Sequence, residues 1–558
     1  MKILLIHSDF MEFEARQKAI KLAEDWEKGR KTRVEECLVA FVAVESRDEE
    51  NAAKVTESMV DETIKVAKEV KAQRIVFYPY AHLSKDLASP SIALDVIRNA
   101  EEIAKKKGFE ASHAPFGWYK AFNLKAKGHP LSELSREITA ESPQQKGGAQ
   151  PKEKTGEEKE LTEDDHRALG RKLDLYSFHD VAPGMAFFHP KGAILRNVLM
   201  SFSRSEHAKR GYHEIATPVV MNKSLWETSG HWLYYRKNMF LTEVEGEQFV
   251  IKPMNCPGST LIFKSATRSY RDLPLRFLEY GMVHRNELSG VLSGLFRVRQ
   301  FTQDDAHIYV REEQLSDEIE RVVDMVDYVY KVFGFDYHVE LSTRPENAMG
   351  TEEMWNRAES ALEGALKKKK MKYKINKGDG AFYGPKIDFH IKDSLGRTWQ
   401  CATCQVDFNQ PERFGVSYVG EDNKPRRPVM IHRVIFGALE RFIGILVEHY
   451  KGAFPVWLSP VQARVLALTD DNNKAARAVL EKLREAGVRA DSDERSSTVE
   501  YRIREAELEK IPYVIVVGKK EEDAGTIALR TRSDKKVKYG MKIDDFIAQV
   551  KEDEEKKR

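Results

Sequence analysis

One stretch of 27 residues constrains this chain more than any other. From Thr139 to Asp165 it reads TAESPQQKGGAQPKEKTGEEKELTEDD, with a single leucine and no aromatic residue. A segment so poor in apolar groups cannot bury enough surface to offset the entropy of ordering it. The composition therefore predicts a flexible linker over residues 139–168. No continuous core can run through it, so the 558 residues must form separate bodies on either side. At about 100–200 residues per domain, three to five domains are expected.

Residues 1–138 read as a small α/β unit. Lys2–His7, Glu36–Val44 and Arg74–Tyr80 are β-rich apolar runs, while Asn51–Val70 and Ile92–Lys107 carry helical periodicity, with Gly108 as a stop. Beyond the linker, helical patterns at Gly192–Arg210, Glu313–Phe333 and Glu352–Lys368 alternate with strand-like runs such as Lys386–Ile391 and Arg397–Phe408. This middle part, 169–456, is expected to be α+β around an antiparallel sheet. Pro455 to Pro460 punctuate a second boundary, and strands spaced by helices then predict an α/β module over 457–558. Its last residues, KEDEEKKR, read as frayed charge.

Composition excludes several classes. With 90 Lys+Arg against 88 Asp+Glu, the net charge of +2 excludes a general polycation but not local basic tracks. The 41 % hydrophobic and 10 % aromatic content excludes global disorder. No apolar run reaches the ~18 residues of a membrane span, and Met1–Asp9 does not read as a secretory signal. Four cysteines fit a reducing compartment, so a soluble, cytoplasmic protein without membrane partners is expected.

Three constellations could carry chemistry. Cys256 (in KPMNCPG), His307 (in FTQDDAH) and His432 (in MIHR) have the donor types of a three-ligand zinc site with one position open. They stand 51 and 125 residues apart, far from the spacing of a local zinc finger. Taken singly, each reads more readily as a core residue than as a ligand. Cys401 and Cys404 form a lone C-x-x-C that reads as strand core. Arg285, Glu287, Arg297 and Phe301 offer bidentate phosphate grips, an acceptor and a stacking ring suited to a nucleotide. In the third, Gly437–Phe442, Arg441 taken alone reads as a salt-bridge partner of Glu440. No P-loop or Rossmann glycine pattern is present.

These residues also carry a resemblance. Gly211–Met221 (GYHEIATPVVM), the run from Val283 through Arg297, and Gly437–Phe442 resemble motifs 1, 2 and 3 of class II aminoacyl-tRNA synthetases. More narrowly, KPMNCPG, RVRQFTQDDAHIY, AFYGPKIDF and MIHR with ERFIGIL are similar to threonyl-tRNA synthetases. The resemblance implies that Cys256, His307 and His432 hold one Zn²⁺ per subunit, completed by the amino and hydroxyl groups of L-threonine. Asp305 would accept the substrate hydroxyl, with Gln303, Tyr383 and Gln405 shaping the pocket. Arg285 would hold the ATP α-phosphate, Glu287 the adenine amine and Phe301 the ring, with Arg297 and Arg441 on the distal phosphates and Mg²⁺ accompanying the ATP. Gln400 and Lys386 would contact ATP or the adenylate, and His231 would assist transfer at the tRNA 2′-hydroxyl.

The segments around Leu4–Asp9, Tyr80–Ser84, Pro115–Lys120 and Gly128–Arg136 resemble the archaeal-type threonyl-tRNA synthetase editing domain, related in fold to D-aminoacyl-tRNA deacylases. His82, Lys120 and Glu133 would then line a pocket that hydrolyses Ser-tRNA(Thr), with Tyr119 and Ala81 or Ala114 near the seryl group. Residues 457–558 resemble the class IIa anticodon-binding domain, where Glu521 and Arg530 match base contacts and Arg502, Arg504, Lys519, Lys520 and Arg532 add basic character for tRNA(Thr). The family also implies a homodimer built on motif 1, including Pro218. The whole therefore reads as an archaeal-type editor joined to a bacterial-like core. Two alternatives remain at the level of sequence: a catalytically silent paralogue that binds RNA or senses an amino acid, and a deacylase with a vestigial core.

Overall fold

The computed structural model describes residues 1–84, 86–128, 132–138, 162–393, 396–534 and 536–558. Most of the expected linker, 139–161, lies outside the described residues. The chain divides into two compact units, Met1–Lys159 and Glu160–Arg558.

The first unit comprises β1 (Lys2–Lys18), β2 (Lys31–Ala43), α1 (Ala52–Glu69), β3 (Arg74–Pro79), α2 (Pro90–Lys106), β4 (Glu110–His113), β5 (Trp118–Ala126) and β6 (Glu133–Glu137). The sheet order is β4-β3-β2-β1-β5, with β6 also pairing β1. Strands β2, β3 and β4 run parallel, joined by α1 and α2 as crossovers. In β2, every residue from Cys37 to Ala43 is buried, as a strand covered on both faces requires. Leu38, Ala40 and Val42 pack with α1 and α2, whereas Val39 and Phe41 meet Tyr78 on the other side. Strand β1 runs well past the predicted end at His7. The polar Ser8-Asp9 interrupts the apolar run, but inward alternation resumes at Met11, Phe13 and Ala15.

The second unit opens with α3 (His166–Lys172) and α4 (Pro190–Ala208). Its start corrects the expected linker boundary, because the Asp165 carboxylate accepts from Arg167 N at 2.8 Å and caps α3. There follow β7 (His213–Glu214), α5 (Cys256–Lys264), β8 (Leu275–His284), β9 (Gln300–Val310), α6 (Leu315–Phe333), β10 (Tyr337–Ser342), α7 (Glu352–Lys368), β11 (Tyr373–Asn376), β12 (Lys386–Lys392), β13 (Thr398–Asp407), β14 (Val429–Val434) and α8 (Leu439–His449). The eight strands lie in the order β11-β10-β12-β13-β14-β9-β8-β7. All neighbours are antiparallel except the outermost pair at each edge.

The two-residue period of these strands divides their side chains. Ile308, Ile387, Phe389, Ala402, Cys404, Val406 and Ile431 join the core built by α6, α7 and α8. The intervening polar residues are left for the opposite face. Cys401 and Cys404 are buried strand residues, as expected.

The same unit ends in a five-stranded sheet. Its elements are β15 (Ala463–Ala467), α9 (Asn473–Glu485), β16 (Ala490–Ser492), α10 (Val499–Leu508), β17 (Tyr513–Val517), β18 (Thr526–Thr531), β19 (Val537–Lys542) and α11 (Ile543–Glu555), with strand order β16-β15-β17-β18-β19. The terminal residues are not frayed. Helix α11 buries Phe546 and Val550, and Trp457 N donates to Arg558 O at 3.2 Å. Among the described residues, no helix is long and apolar enough to cross a membrane.

Candidate active site

Register places the chemistry. Lys386 on β12 pairs with Gln405 on β13, Gln405 with His432 on β14, and His432 with His307 on β9. One row across four strands thus presents four predicted site residues on the face opposite the helices. Along β9, the same alternation sets Phe301, Gln303 and Asp305 beside His307. Cys256 arrives from the first position of α5.

The Cys256 Sγ and one ring nitrogen each of His307 and His432 lie within 4.8 Å of one another, all in buried residues. Burial pushes the Cys256 thiol well up and the His307 imidazolium well down. Both ring nitrogens of His307 are buried without a hydrogen-bond partner. His432 Nε2 donates to Asp407 Oδ2 at 2.9 Å, a carboxylate–histidine pair that leaves Nδ1 as a lone-pair donor. Orphaned nitrogens and a buried thiol fit a thiophilic cation such as zinc.

Two other groups of ligand type fit less well. The rings of His338 and His390, beside Glu340, stack at 4.8 Å and 11°, so their in-plane lone pairs do not converge. In the Asp165, His166 and Glu448 group, hydrogen bonds occupy both His166 nitrogens.

Asp305, buried but with an edge open to solvent, accepts from Asn255 Nδ2 at 3.0 Å. Burial raises its carboxyl, with Asn255 opposing the rise. Asn255 fits there because residue 281, opposite Gln303 on β8, is glycine: a Cβ would fall 2.2 Å from Asn255 Oδ1. Tyr383 donates to Gln405 Oε1, and its ring lies 4.8 Å from that of His432. His231 is completely buried, 3.7 Å from Cys256 Sγ, and burial pulls it down to about 3, so its ring is neutral.

The arginines sit at the other end of β9. Arg285 stacks over Phe301 at 5.1 Å and donates to Pro253 O. Arg441 donates to Phe296 O and Gln400 O, each at 2.9 Å. Its predicted partner Glu440 instead accepts from Thr302 N, so the salt-bridge reading of Arg441 fails. Among the described residues, neither Arg285 nor Arg441 makes an ion pair, and two such cations on one face suit a polyanion. Glu287 and Arg297 pair with each other at 2.9 Å. Asp388 was not anticipated. It accepts from Lys386, Gln400, Thr403 and Ser342 and so organises that end of the row. The K-I-D alternation after Gly384 was the available signal, because it puts Asp388 on the face of Lys386.

The first unit has its own cleft, of about 470 Å³, lined by residues that include Tyr78, Ala81, His82, Tyr119, Lys120 and Phe122. Lys120 Nζ donates to Pro115 O and Trp118 O and lies 4.9 Å over the Tyr78 ring. Burial pulls its ammonium down to about 8, against the attraction of Glu24. Of the two alanines considered, Ala81 lines the cleft, while Ala114 is buried outside its lining. Glu133 is exposed on β6 opposite Ile6 and is not among the lining residues.

Comparisons with known proteins agree with this layout. Residues 1–138 match the archaea-specific editing domain of threonyl-tRNA synthetase. Residues 240–450 match the class II tRNA synthetase core domain for G, H, P, S and T, and 462–553 the anticodon binding domain. The crystal structure of the RNA binding domain of threonyl-tRNA synthetase from Cryptosporidium parvum Iowa II superposes with a TM-score of 0.68 and 42 % identity, over 70 % of this chain and 98 % of that one. The chain belongs to the threonyl-tRNA synthetase family. Among curated members, the threonine–tRNA ligases of Caldanaerobacter subterraneus subsp. tengcongensis and Desulforamulus reducens are 57 % and 56 % identical over 69 % and 70 % of this chain. The chain spans about 60 % of the length of these relatives.

Within this threonyl-tRNA synthetase family member, the C-terminal module departs from the predicted basic face. Arg502 is buried and donates to Asp493 O and Ala467 O, and Arg532 donates to Lys510 O and Phe454 O. Both serve the fold. Arg504 and Lys520 remain exposed. Arg530 pairs with Glu507 at 2.8 Å, and the Glu521 carboxylate accepts from Gly518 N, capping its own helix.

Proposed function

We propose that the chain is a threonine–tRNA ligase that activates L-threonine with ATP, transfers it to tRNA(Thr), and hydrolyses mischarged Ser-tRNA(Thr). The observation that carries this reading is the convergence of Cys256, His307 and His432 beside Asp305, with Arg285 against Phe301 and Arg441 against Phe296 and Gln400 toward the other end of β9. The presence of Cys256, His307, His432, Arg285 and Arg441 together disfavours a silent paralogue or a vestigial core. In this reading the chain comprises an editing domain (1–138), a linker cut back to 139–164 by the Asp165 cap of α3, a catalytic domain (165–456) and an anticodon-binding domain (457–558).

Cys256, His307 and His432 would hold one zinc ion per subunit. When bound, it supplies ligation for the substrate amino and hydroxyl groups, which valine cannot match. Asp305 orients the hydroxyl, and Gln303, Tyr383 and Gln405 close the pocket. The threonine carboxylate attacks the ATP α-phosphorus, and the bond to the pyrophosphate oxygen breaks. Arg285 stabilises the charge that develops there, while Arg297 and Arg441 hold the departing phosphates, which bring Mg²⁺ with them. Glu287 and Phe301 seat the adenine, Lys386 and Gln400 steady the adenylate, and neutral His231 assists transfer at the 2′-hydroxyl.

Serine keeps both coordinating groups and lacks one methyl, worth only about 1–3 kcal/mol, or roughly 10–200-fold. That margin calls for a second site. The cleft of the first unit supplies it, with His82, Tyr119 and Lys120 orienting the seryl ester; Glu133 lies outside its lining and is not assigned a role in this cleft. Glu521 and Arg530 are assigned to anticodon bases. The exposed Val219, Val220 and Leu261 around Pro218 support a homodimer, and the enzyme would work in the cytoplasm. Threonylation of a tRNA(Thr) transcript tests the reading. Formation of threonyl-tRNA is expected, and its absence with zinc-loaded protein and ATP would overturn the proposal.

A further inference from the structure

His166, the first residue of α3, is 1 % exposed and bridges three parts of the second unit. Its Nδ1 donates to Glu448 Oε1 at 2.8 Å, and its backbone N donates to the same oxygen at 3.1 Å. Its Nε2 accepts from Leu295 N at 3.1 Å. An amide donor on one side and a carboxylate acceptor on the other fix the neutral Nδ1–H tautomer.

The ring also packs on the loop that it bonds, with Phe296 at 4.1 Å between centroids. Gly294 comes so close that a Cβ would fall 2.3 Å from His166 Nε2, and its φ is +48°. Leu295 and Phe296 lead directly into Arg297. Phe296 O accepts from Arg441 Nε, and the Phe296 ring stacks on Trp399 at 4.4 Å, next to Gln400, whose carbonyl accepts from Arg441 Nη1. Glu448 lies on α8, the helix that carries Arg441, and Arg397 braces it from the far side. His166 therefore touches both supports of the two arginines: the loop before Arg297 and the helix behind Arg441.

We propose that His166 is a positioning residue for the nucleotide site. It sets the loop that ends in Arg297 and, through Phe296 and Glu448, the placement of Arg441, so that both guanidiniums are pre-aligned for the distal phosphates. This rests on the reading of Arg297 and Arg441 as phosphate ligands. Pre-alignment matters because an arginine that must first be ordered loses affinity for its anion.

The test compares His166→Ala with His166→Gln, whose side chain can accept from Leu295 N and donate to Glu448. In threonine-dependent ATP–pyrophosphate exchange, His166→Ala is expected to raise the KM for ATP about tenfold, because Arg297 and Arg441 must then be ordered as ATP binds. The KM for threonine should stay within about twofold, and His166→Gln should recover most of the loss. Gly294→Ala, which pushes the loop off the ring, should give the same ATP-selective defect and serves if His166→Ala fails to fold. Direct ATP binding, measured by calorimetry without threonine, reads the same effect if wild-type exchange is absent, so failure of the ligase reading is separable. Equal rises in both KM values, or unchanged ATP affinity in folded His166→Ala or Gly294→Ala protein, would overturn the proposal.

Discussion

His307 and His432 stand directly opposite each other on neighbouring antiparallel strands, their ring centroids 5.1 Å apart at 83°. The sheet register alone sets this relationship, and α5 only has to deliver Cys256 to complete the trio. Cys256→Ser keeps the shape and weakens a soft ligand. Its metal content, read by plasma mass spectrometry, should fall from about one zinc per chain to below about 0.2. Loss of exchange activity should accompany it. Full zinc retention would place the metal elsewhere.

Asn255 reaches Asp305 only because position 281 has no side chain. Gly281→Ala should displace Asn255 and leave Asp305 misaligned. The expected outcome is a roughly tenfold rise in the KM for threonine with little change for ATP. Steady-state exchange kinetics with each substrate varied will show whether the defect is selective.

In the first unit, Lys120 titrates near 8 because burial disfavours its ammonium. If the charged form orients the seryl ester, Ser-tRNA hydrolysis should decline as pH rises through about 8. Lys120→Arg should move that decline upward, because guanidinium stays charged. Lys120→Ala should leave threonylation intact and let Ser-tRNA accumulate. Deacylation assays between pH 7 and 9 measure both effects.

His113 sits between Glu24 and Glu101, and Glu24 in turn accepts from the backbone N of Phe116, a residue of the cleft lining. Burial opposes its charge, but the two carboxylates outweigh burial and hold it at about 9. A folded pKa above the unfolded value stabilises the folded state fully below about pH 6.5, and the gain is lost as pH rises through about 9. His113→Gln should thus cost about 2 kcal/mol at pH 6, discounted for partial exposure, and almost nothing at pH 10. Thermal unfolding of the two proteins at both pH values tests this sign.

Much of this architecture was legible because the signals are local. Helix α7 begins and ends where periodicity placed it, at Glu352 and Lys368. The motif residues of β9 could be named from their contexts, but spacings of 51 and 125 residues hold no information about convergence, which register creates. Long-range partners were equally hidden. Nothing near Arg502 signals that it will turn inward to two carbonyls, and nothing near Asp388 signals four donors from three strands. His166 was concealed for a different reason. It follows a run of Glu, Lys and Asp, so composition extended the linker through it, whereas its tertiary bonds make it core.

Threonine-dependent ATP–pyrophosphate exchange with zinc-loaded protein tests the central claim most directly. It isolates the chemistry of Arg285, Arg441 and the Cys256–His307–His432 cluster from tRNA binding and from editing. The account predicts robust exchange with threonine, weaker exchange with serine and essentially none with valine. Absence of threonine-dependent exchange, or equal exchange with valine, would contradict it.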